Sequence, residues 1–189
     1  TILREPPAEI GQQFSDFQLQ NCETGDFVNV HEEAQGHDAV WILGTAGWCP
    51  ACKTMLFHGS SPRGVGLSMF QAIVDNPRLK GMIILGENSS RSQATLAYCR
   101  RHAQYYREGW ATENPGVELP YSIEDASMFY LDHDGVRSFD QLFGSLKTYT
   151  NEDGVFGLPW NAVLEPGDAP IYRYADGSGQ TENLGQMIQ

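Results

Sequence analysis

The feature that most constrains the fold is a continuous apolar run at residues 39–43, followed within six residues by the first cysteine of a Cys-x-x-Cys pair. An unbroken apolar run of this length predicts a strand buried on both faces, as in parallel sheets. The glycine-rich residues 44–47 end that strand, and Pro50 suits a first helical turn because the N–H it lacks has no partner there. The sequence therefore predicts a buried strand, a short turn and a helix from Cys49.

A second strand-helix unit follows the first. Residues 81–85 form another apolar run, residues 67–74 carry apolar side chains at helical spacing, and residues 92–108 do the same. Alternation of buried strands with helices is typical of βαβ units with parallel strands. The predicted fold class is therefore α/β.

Short strands and turns are predicted on both sides of this unit. Residues 14–19 and 27–30 flank turn-forming residues and predict a hairpin, as do residues 161–165 and 171–174 around a Pro-Gly-Asp turn. Residues 127–131 predict one more short strand. Residues 31–38 are polar and are expected to form a connection without regular structure.

The length fits one domain over residues 1–189. Within it, residues 1–12 are expected to form an irregular lead, and residues 58–66 and 109–155 are candidate insertions. The chain begins with Thr1 rather than Met, so we expect that a segment before it was removed.

The charge excludes two classes of partner. The chain has 24 acidic and 12 basic side chains, a formal charge of -12, so it carries no electrostatic signature of nucleic-acid binding or of an anionic membrane surface. Its apolar runs are far shorter than the ~20 residues that a membrane-spanning helix needs. We therefore expect a protein that binds no nucleic acid and is not transmembrane in this chain.

The Cys49-Pro50-Ala51-Cys52 motif has two chemical interpretations. At a helix start, backbone N–H groups and the helix dipole stabilise a thiolate on the first sulfur, so Cys49 is the candidate nucleophile and Cys52 the candidate resolving thiol. The alternative is half of a zinc site. No second Cys pair and no pair of histidines at ligand spacing completes such a site, so we expect no metal and no cofactor besides the redox pair.

Three stretches together resemble a known family. Residues 10–28 resemble an N-terminal hairpin, residues 40–52 a central strand with its active-site helix, and residues 157–159 a cis-proline loop followed by a strand hairpin. The chain is similar to the thioredoxin superfamily and, within it, to the exported TlpA/ResA-like thiol-disulfide oxidoreductases, which are related to the AhpC/TSA group. The resemblance covers nearly the whole chain, apart from looser stretches at residues 58–66 and 109–155.

This resemblance implies a thioredoxin-like fold: a central mixed β-sheet flanked by helices, with an extra N-terminal β-hairpin. It also implies that the Leu158–Pro159 bond is cis, that Pro159 packs against the two sulfurs, and that Leu158 offers backbone groups to a substrate. Trp48 and Trp160 would flank an exposed sulfur, with simple packing as the alternative for both rings. The residues expected to bind substrate are Trp48, Pro50, Leu158, Pro159 and Trp160.

The chain also departs from the family pattern. Leu43 occupies the position of the buried acid in thioredoxins, and Met55 the position of a glutamate common in the ResA-like group. Either carboxylate would help to remove the proton from the resolving thiol. Thr45 does not match the peroxiredoxin spacing, because it lies four residues before Cys49 rather than three.

Cys22 and Cys99 have two interpretations. In the first, Cys99 is an inert buried thiol on the apolar face of its helix, because free cysteine is among the most buried residue types. In the second, it pairs with Cys22 in a structural disulfide that stabilises the fold and indicates an oxidising compartment. With the family resemblance, the second interpretation places the protein in the periplasm, free or anchored to a membrane through a preceding segment.

Two functions of different class follow. The first is an enzyme that exchanges disulfides with exported protein substrates and draws electrons from a thiol donor. The second is a binding or assembly protein that keeps the fold and the cis-proline groove without turnover. Peroxide reduction is a third and less favoured candidate, and the sequence leaves the oligomeric state open.

Overall fold

A computed structural model describes residues 11–14, 16–57, 73, 76–113, 128–132 and 158–176, and these form a mixed sheet of seven strands with three helices. Outside the described residues lie the predicted helix at 67–74 (apart from Ile73), the whole candidate insertion 58–66, most of the lead 1–12, and the stretches 114–127 and 133–155 of the second candidate insertion. The elements are β1 (Gln18–Asn21), β2 (Phe27–Asn29), α1 (Val30–Ala34), β3 (Ala39–Ala46), α2 (Pro50–Phe57), β4 (Leu79–Glu87), α3 (Leu96–Glu113), β5 (Phe129–Asp132), β6 (Trp160–Glu165) and β7 (Ile171–Asp176).

The strand order in the sheet is β2-β1-β5-β4-β3-β6-β7. The central strands β3, β4 and β5 are parallel, while β1 pairs antiparallel with β2 and β5, and β6 pairs antiparallel with β3 and β7. The parallel unit and both hairpins predicted from the sequence are confirmed. Helix α2 follows β3 and helix α3 follows β4, so each helix begins after the carboxyl end of a parallel strand. Both helices therefore begin at the same edge of the sheet.

Alternation along β3 divides the core into two clusters on opposite faces of the sheet. Trp41 and Leu43 pack in the cluster that contains side chains of α2 and α3, whereas Val40 and Ile42 pack in the cluster that contains side chains of α1. Successive side chains of a strand point to opposite faces, so a run of apolar residues supplies both clusters at once. This explains why the buried run predicts the central strand so well.

The structure corrects two helix predictions. The supposed polar connection after β2 contains helix α1, because Val30 and Ala34, four residues apart, bury one face against the sheet. Helix α3 begins at Leu96 rather than residue 92 and continues past Gly109 to Glu113. Within the described residues, no helix is both long and apolar enough to cross a membrane.

The N-terminal hairpin is fastened to α3. The structure has a disulfide between Cys22, in the turn after β1, and Cys99 on α3, with the Cα atoms 5.7 Å apart. Beside it, the Arg100 guanidinium donates hydrogen bonds to the carbonyls of Cys22 at 2.9 Å and Glu23 at 3.3 Å. The turn is thus held to the helix by one covalent and two charge-assisted contacts.

A buried histidine on α3 makes the stability of the protein depend on pH. His102 is only 6% exposed and lies between Tyr98 and Tyr106, with ring centroids 5.9 Å and 4.7 Å away. Burial, helped by the charge of Lys53, lowers the pKa of His102 from 6.5 to about 4. Between these two values the unfolded chain binds more protons than the folded one, so the stabilising effect of a neutral His102 is lost as the pH falls.

We expect the free energy of unfolding to fall by about 2 kcal/mol through His102 alone as the pH is lowered from 7 to 5. Urea unfolding at both pH values measures it, and a His102→Gln variant should show a smaller loss by about that amount. His37→Gln is the control, because His37 is less buried and its removal should flatten the dependence less. Equal pH dependence in the wild type and His102→Gln would contradict the assignment.

Candidate active site

The cysteine motif lies where β3 passes into α2. After Ala46 the chain turns through Gly47, whose N–H donates to the Glu87 carbonyl at 2.8 Å, and the Cys49 N–H donates to the Ala46 carbonyl at 3.1 Å. These bonds join the turn to β4 and to its own strand. The first cysteine is therefore placed directly at the start of α2, as the sequence predicts.

Cys49 and Cys52 form a disulfide, with their Cα atoms 5.3 Å apart. The backbone N–H of Cys52 points back and donates to the Cys49 Sγ at 3.1 Å. An N–H group of the first helical turn directed at a sulfur, together with the helix dipole, favours negative charge on that sulfur. The contact therefore favours a thiolate at Cys49 over the neutral thiol.

The proline loop reaches the same end of the sheet. The Leu158–Pro159 peptide bond is cis, as the family resemblance implies. The strand that follows it, β6, pairs with β3, and Trp160 stands opposite Gly44. Leu158 packs against the small cluster formed by Ala46, Cys49 and Cys52, so the loop before β6 contacts the disulfide.

The disulfide is more enclosed than the sequence suggests. Cys49 is 2% exposed and Cys52 is fully buried, so the expected exposed sulfur is absent from this disulfide form. The partly buried side chains of Trp48, Ala51 and Leu158 cover the pair. A disulfide is apolar, so neighbouring apolar side chains bury their own surface by packing on it. This explains why the two sulfurs are shielded from water.

Trp160 is a correction to the predicted site. It is fully buried and belongs to the opposite core cluster, with Phe14, Ile42 and Tyr172, rather than to the cluster around the sulfurs. Neighbouring residues of an extended segment point to opposite sides, so if Pro159 faces the motif, Trp160 faces away from it. The packing interpretation therefore holds for Trp160. Trp48 is half-buried, Pro50 is exposed, and a substrate role for both stays a prediction.

The two positions that lack the family's carboxylates are filled by apolar contacts. Leu43 and Met55 are buried in the cluster under α2. The polar group that contacts Met55 there is the amide of Asn161, whose nitrogen lies 3.8 Å from the Met55 sulfur and whose oxygen accepts a 2.9 Å hydrogen bond from Trp41 Nε1. A buried neutral amide takes up no proton at ordinary pH, so it does not replace the missing base.

Comparison with known proteins identifies the architecture. No protein-family model and no curated protein matches the chain. Among solved structures, a thiol:disulfide interchange protein from a Bacteroides species superposes with a TM-score of 0.57 at 11% identity, covering 96% of this chain and 88% of the other. An uncharacterized conserved protein from Geobacillus kaustophilus gives 0.56 at 12% identity, with coverages of 88% and 68%. A thioredoxin-like protein from Bacteroides caccae gives 0.52 at 11% identity, covering 95% of this chain and 49% of the other.

The chain has a thioredoxin-like fold. The mixed sheet with helices and the extra N-terminal hairpin agree with it. Within the described part of this fold, no group of three or more His, Cys, Asp or Glu side chains is arranged to hold a metal ion.

Two residues that sequence reasoning missed hold Trp48 in this thioredoxin-like fold. Glu87, the last residue of β4, accepts a 2.6 Å hydrogen bond from the Trp48 indole nitrogen, and the Arg91 guanidinium carbon lies 4.2 Å from the centre of the indole ring. The ring is thus held at one edge by a carboxylate and on one face by a cation. The available signal was the parallel pairing of β3 with β4, which brings the ends of both strands together.

Gly47 allows the turn before the motif to pack closely. A Cβ atom at this position would lie 3.0 Å from the Asn88 carbonyl carbon and from the Ser89 nitrogen, and it would overlap the Tyr98 hydroxyl. We expect Gly47→Ala to lower the unfolding free energy by about 1–3 kcal/mol, since backbone atoms cannot move aside cheaply. Gly167→Ala is the matched control: its nearest atom would be 3.9 Å away, so thermal or urea unfolding should change little. Equal effects in the two variants would contradict this account.

Proposed function

We propose that the protein is a thiol-disulfide oxidoreductase of the TlpA/ResA-like type, acting through Cys49 and Cys52. The observation that carries the proposal is the Cys52 N–H directed at the Cys49 Sγ at 3.1 Å in the first turn of α2. That bond remains available to a thiolate, so it stabilises Cys49 as nucleophile and as leaving group. The cis-proline loop against the same pair is further support.

In the proposed reaction the reduced protein attacks a client disulfide. The Cys49 thiolate forms a bond to one client sulfur, and the other client sulfur leaves as a thiolate and takes up a proton. The Cys52 thiol then loses its proton, attacks the Cys49 sulfur and releases the second client thiol. Two electrons pass to the client, and the protein is left with the Cys49–Cys52 disulfide. A thiol electron donor reduces that disulfide by the reverse sequence.

The proposed substrates are disulfide-containing proteins in an oxidising compartment such as the periplasm. The Cys22–Cys99 disulfide supports this location, because structural disulfides persist where the surroundings are oxidising. Both of its half-cystines are buried, with at most 1% exposure, so the pair is suited to structure rather than exchange.

The test combines a redox potential with a turnover assay. Equilibration of the Cys49–Cys52 pair with thiol buffers is expected to give a potential near the ~-270 mV of thioredoxin, whereas a value near ~-120 mV would favour client oxidation instead. Reduced wild-type protein should reduce insulin disulfides, and Cys49→Ser should not. The double variant Cys22→Ala/Cys99→Ala is the control and should retain turnover. A pair that cannot be cycled, with equal inactivity of the wild type and Cys49→Ser, would overturn the proposal.

A further inference from the structure

A pocket of about 210 Å³ opens between α2 and α3, beside the cysteine motif. Gly47, two residues before Cys49, lines one side, and Ser89 in the loop after β4 lines another. The rest of the lining comes from the two helices. We call it the α2–α3 pocket.

Two cations line this pocket in a protein of strongly negative charge. Lys53 follows directly after the motif on α2, and Arg101 lies on α3. Among the described residues neither one forms an ion pair with a carboxylate. Lys53 Nζ lies 5.6 Å from the centre of the Tyr105 ring, and the Arg101 guanidinium carbon lies 5.8 Å from that of Tyr98. The chain has 24 acidic against 12 basic side chains, so two cations beside the motif form a local positive site in a negative protein.

Aromatic rings complete the walls and hold them in place. The Tyr98 hydroxyl accepts a 3.1 Å hydrogen bond from the Ser89 N–H, which fixes the helix to the loop after β4. The His102 ring is buried behind Tyr98, and its Nε2 has no hydrogen-bond partner within the described residues. Burial keeps this ring neutral at pH 7, so Lys53 and Arg101 supply the positive charge.

We propose that the α2–α3 pocket binds a carboxylate side chain of the client polypeptide, close to the client's reacting cysteine. The inference rests on the proposed function and adds a substrate class to it: disulfide proteins with an acidic residue near the cysteine. A planar guanidinium matches a carboxylate through two parallel hydrogen bonds, and an ammonium beside it adds charge. The volume suits one side chain rather than a cofactor, since ligand pockets usually measure about 300–1,000 Å³.

The position of Gly47 sets the distance along the client. An extended chain advances about 3.3–3.6 Å per residue, so a pocket two residues from Cys49 is within reach of a client side chain roughly two to four residues from the reacting sulfur. An acidic residue at that spacing would place its carboxylate in the pocket while its cysteine lies at the motif.

The overall charge of the protein affects how a preference between acidic and neutral clients is interpreted. A protein of charge -12 repels acidic peptides over its surface as a whole. Without a local cationic site, an acidic client should react more slowly than a neutral one. A preference for the acidic client therefore requires a specific contact.

The experiment uses two disulfide-linked peptides that differ only in Glu or Gln at positions two to four residues from the cysteine. We expect wild-type protein at low salt to reduce the Glu peptide with a kcat/KM about threefold to tenfold higher than the Gln peptide. Lys53→Gln and Arg101→Gln should each reduce that ratio, and ~1 M salt should remove it in the wild type. Arg78→Gln is the matched control: it also removes one cation, but at the opposite end of β4 from the motif, where Arg78 pairs with Asp38.

A ratio of one or less in the wild type overturns the proposal, as does a ratio that Arg78→Gln lowers as much as Lys53→Gln does. A binding experiment tests the pocket independently of the redox function. The same two peptides with Ser in place of Cys are titrated against wild-type protein by calorimetry. Tighter binding of the Glu peptide, lost in Arg101→Gln, supports the pocket even if no turnover occurs, and equal binding of both peptides overturns it.

Discussion

A Cys52→Ser variant mixed with an excess of a disulfide-containing client is expected to accumulate a covalent adduct with that client through Cys49. Without the resolving thiol the mixed disulfide has no internal route to release, so the reaction stops after its first step. Steady-state reduction should fall to the rate of the uncatalysed exchange. Intact-mass measurement under non-reducing conditions detects the adduct, and a reducing agent should remove it.

Cys49→Ser is the matched control for this trap, since it keeps the other sulfur and changes a side chain of the same size. It should form no adduct, because the N–H hydrogen bond from the first turn of α2 stabilises a thiolate at Cys49 rather than at Cys52. Adduct formation by Cys49→Ser that equals or exceeds that of Cys52→Ser would contradict the assigned roles. In that case the attacking sulfur would be Cys52.

Removal of the Cys22–Cys99 disulfide by a double substitution to alanine is expected to lower the free energy of unfolding by about 4 kcal/mol in the chain-entropy model. The bridge joins residues 77 positions apart, so its loss releases a long loop in the unfolded chain. Urea unfolding of oxidised wild-type and variant proteins measures the difference. The fold should persist, because β1 still pairs with β2 and β5.

The matched control for this stability effect is Cys49→Ala/Cys52→Ala. Its cysteines are three positions apart, and the same relation predicts a cost of about 1–2 kcal/mol. A loss from Cys22→Ala/Cys99→Ala no larger than that of the control would contradict the argument from loop length. A non-reducing peptide map that finds Cys22 and Cys99 free in protein from its native compartment would contradict the bridge itself.

The central part of this fold is predictable from the sequence because its signals are strong and local. The apolar runs in β3 and β4 are continuous, whereas a strand with one face in water alternates apolar and polar residues, and both are buried as predicted. Pro50 begins α2 at the position that its missing N–H favours. Turn residues mark the hairpins between β1 and β2 and between β6 and β7 in the same way.

Other elements depend on contacts that the sequence does not display. Helix α1 has only five residues, and alone in water it would not be stable, so its polar sequence suggests a loop. Gly109 lowers helix propensity by about 1 kcal/mol relative to alanine, which is too little to end α3. Helix propensity therefore overestimates the effect of a single glycine when the rest of the helix is packed against the sheet.

The candidate site also has parts that the sequence predicts and parts that it does not. The motif and the proline loop are visible as sequence patterns, and the structure brings them together. The prediction for Trp160 is wrong because successive side chains of an extended segment point to opposite sides. A residue next to Pro159 is therefore not expected to face the same sulfurs. The parallel pairing of β3 with β4 brings Glu87 near Trp48, but Arg91 could not be inferred as a contact, because the loop that presents it has no recognisable pattern.

The bridge between the N-terminal turn and α3 also bears on the order in which the chain folds. The closed loop between Cys22 and Cys99 contains β2, α1, β3, α2 and β4, which includes the whole cysteine motif. Once the loop is closed, the turn after β1 and helix α3 become neighbours along the covalent structure, and the entropy of bringing them together no longer opposes folding. Contacts close along the chain form faster than distant ones, so early oxidation at Cys22 and Cys99 should speed the folding of the segment that carries Cys49 and Cys52.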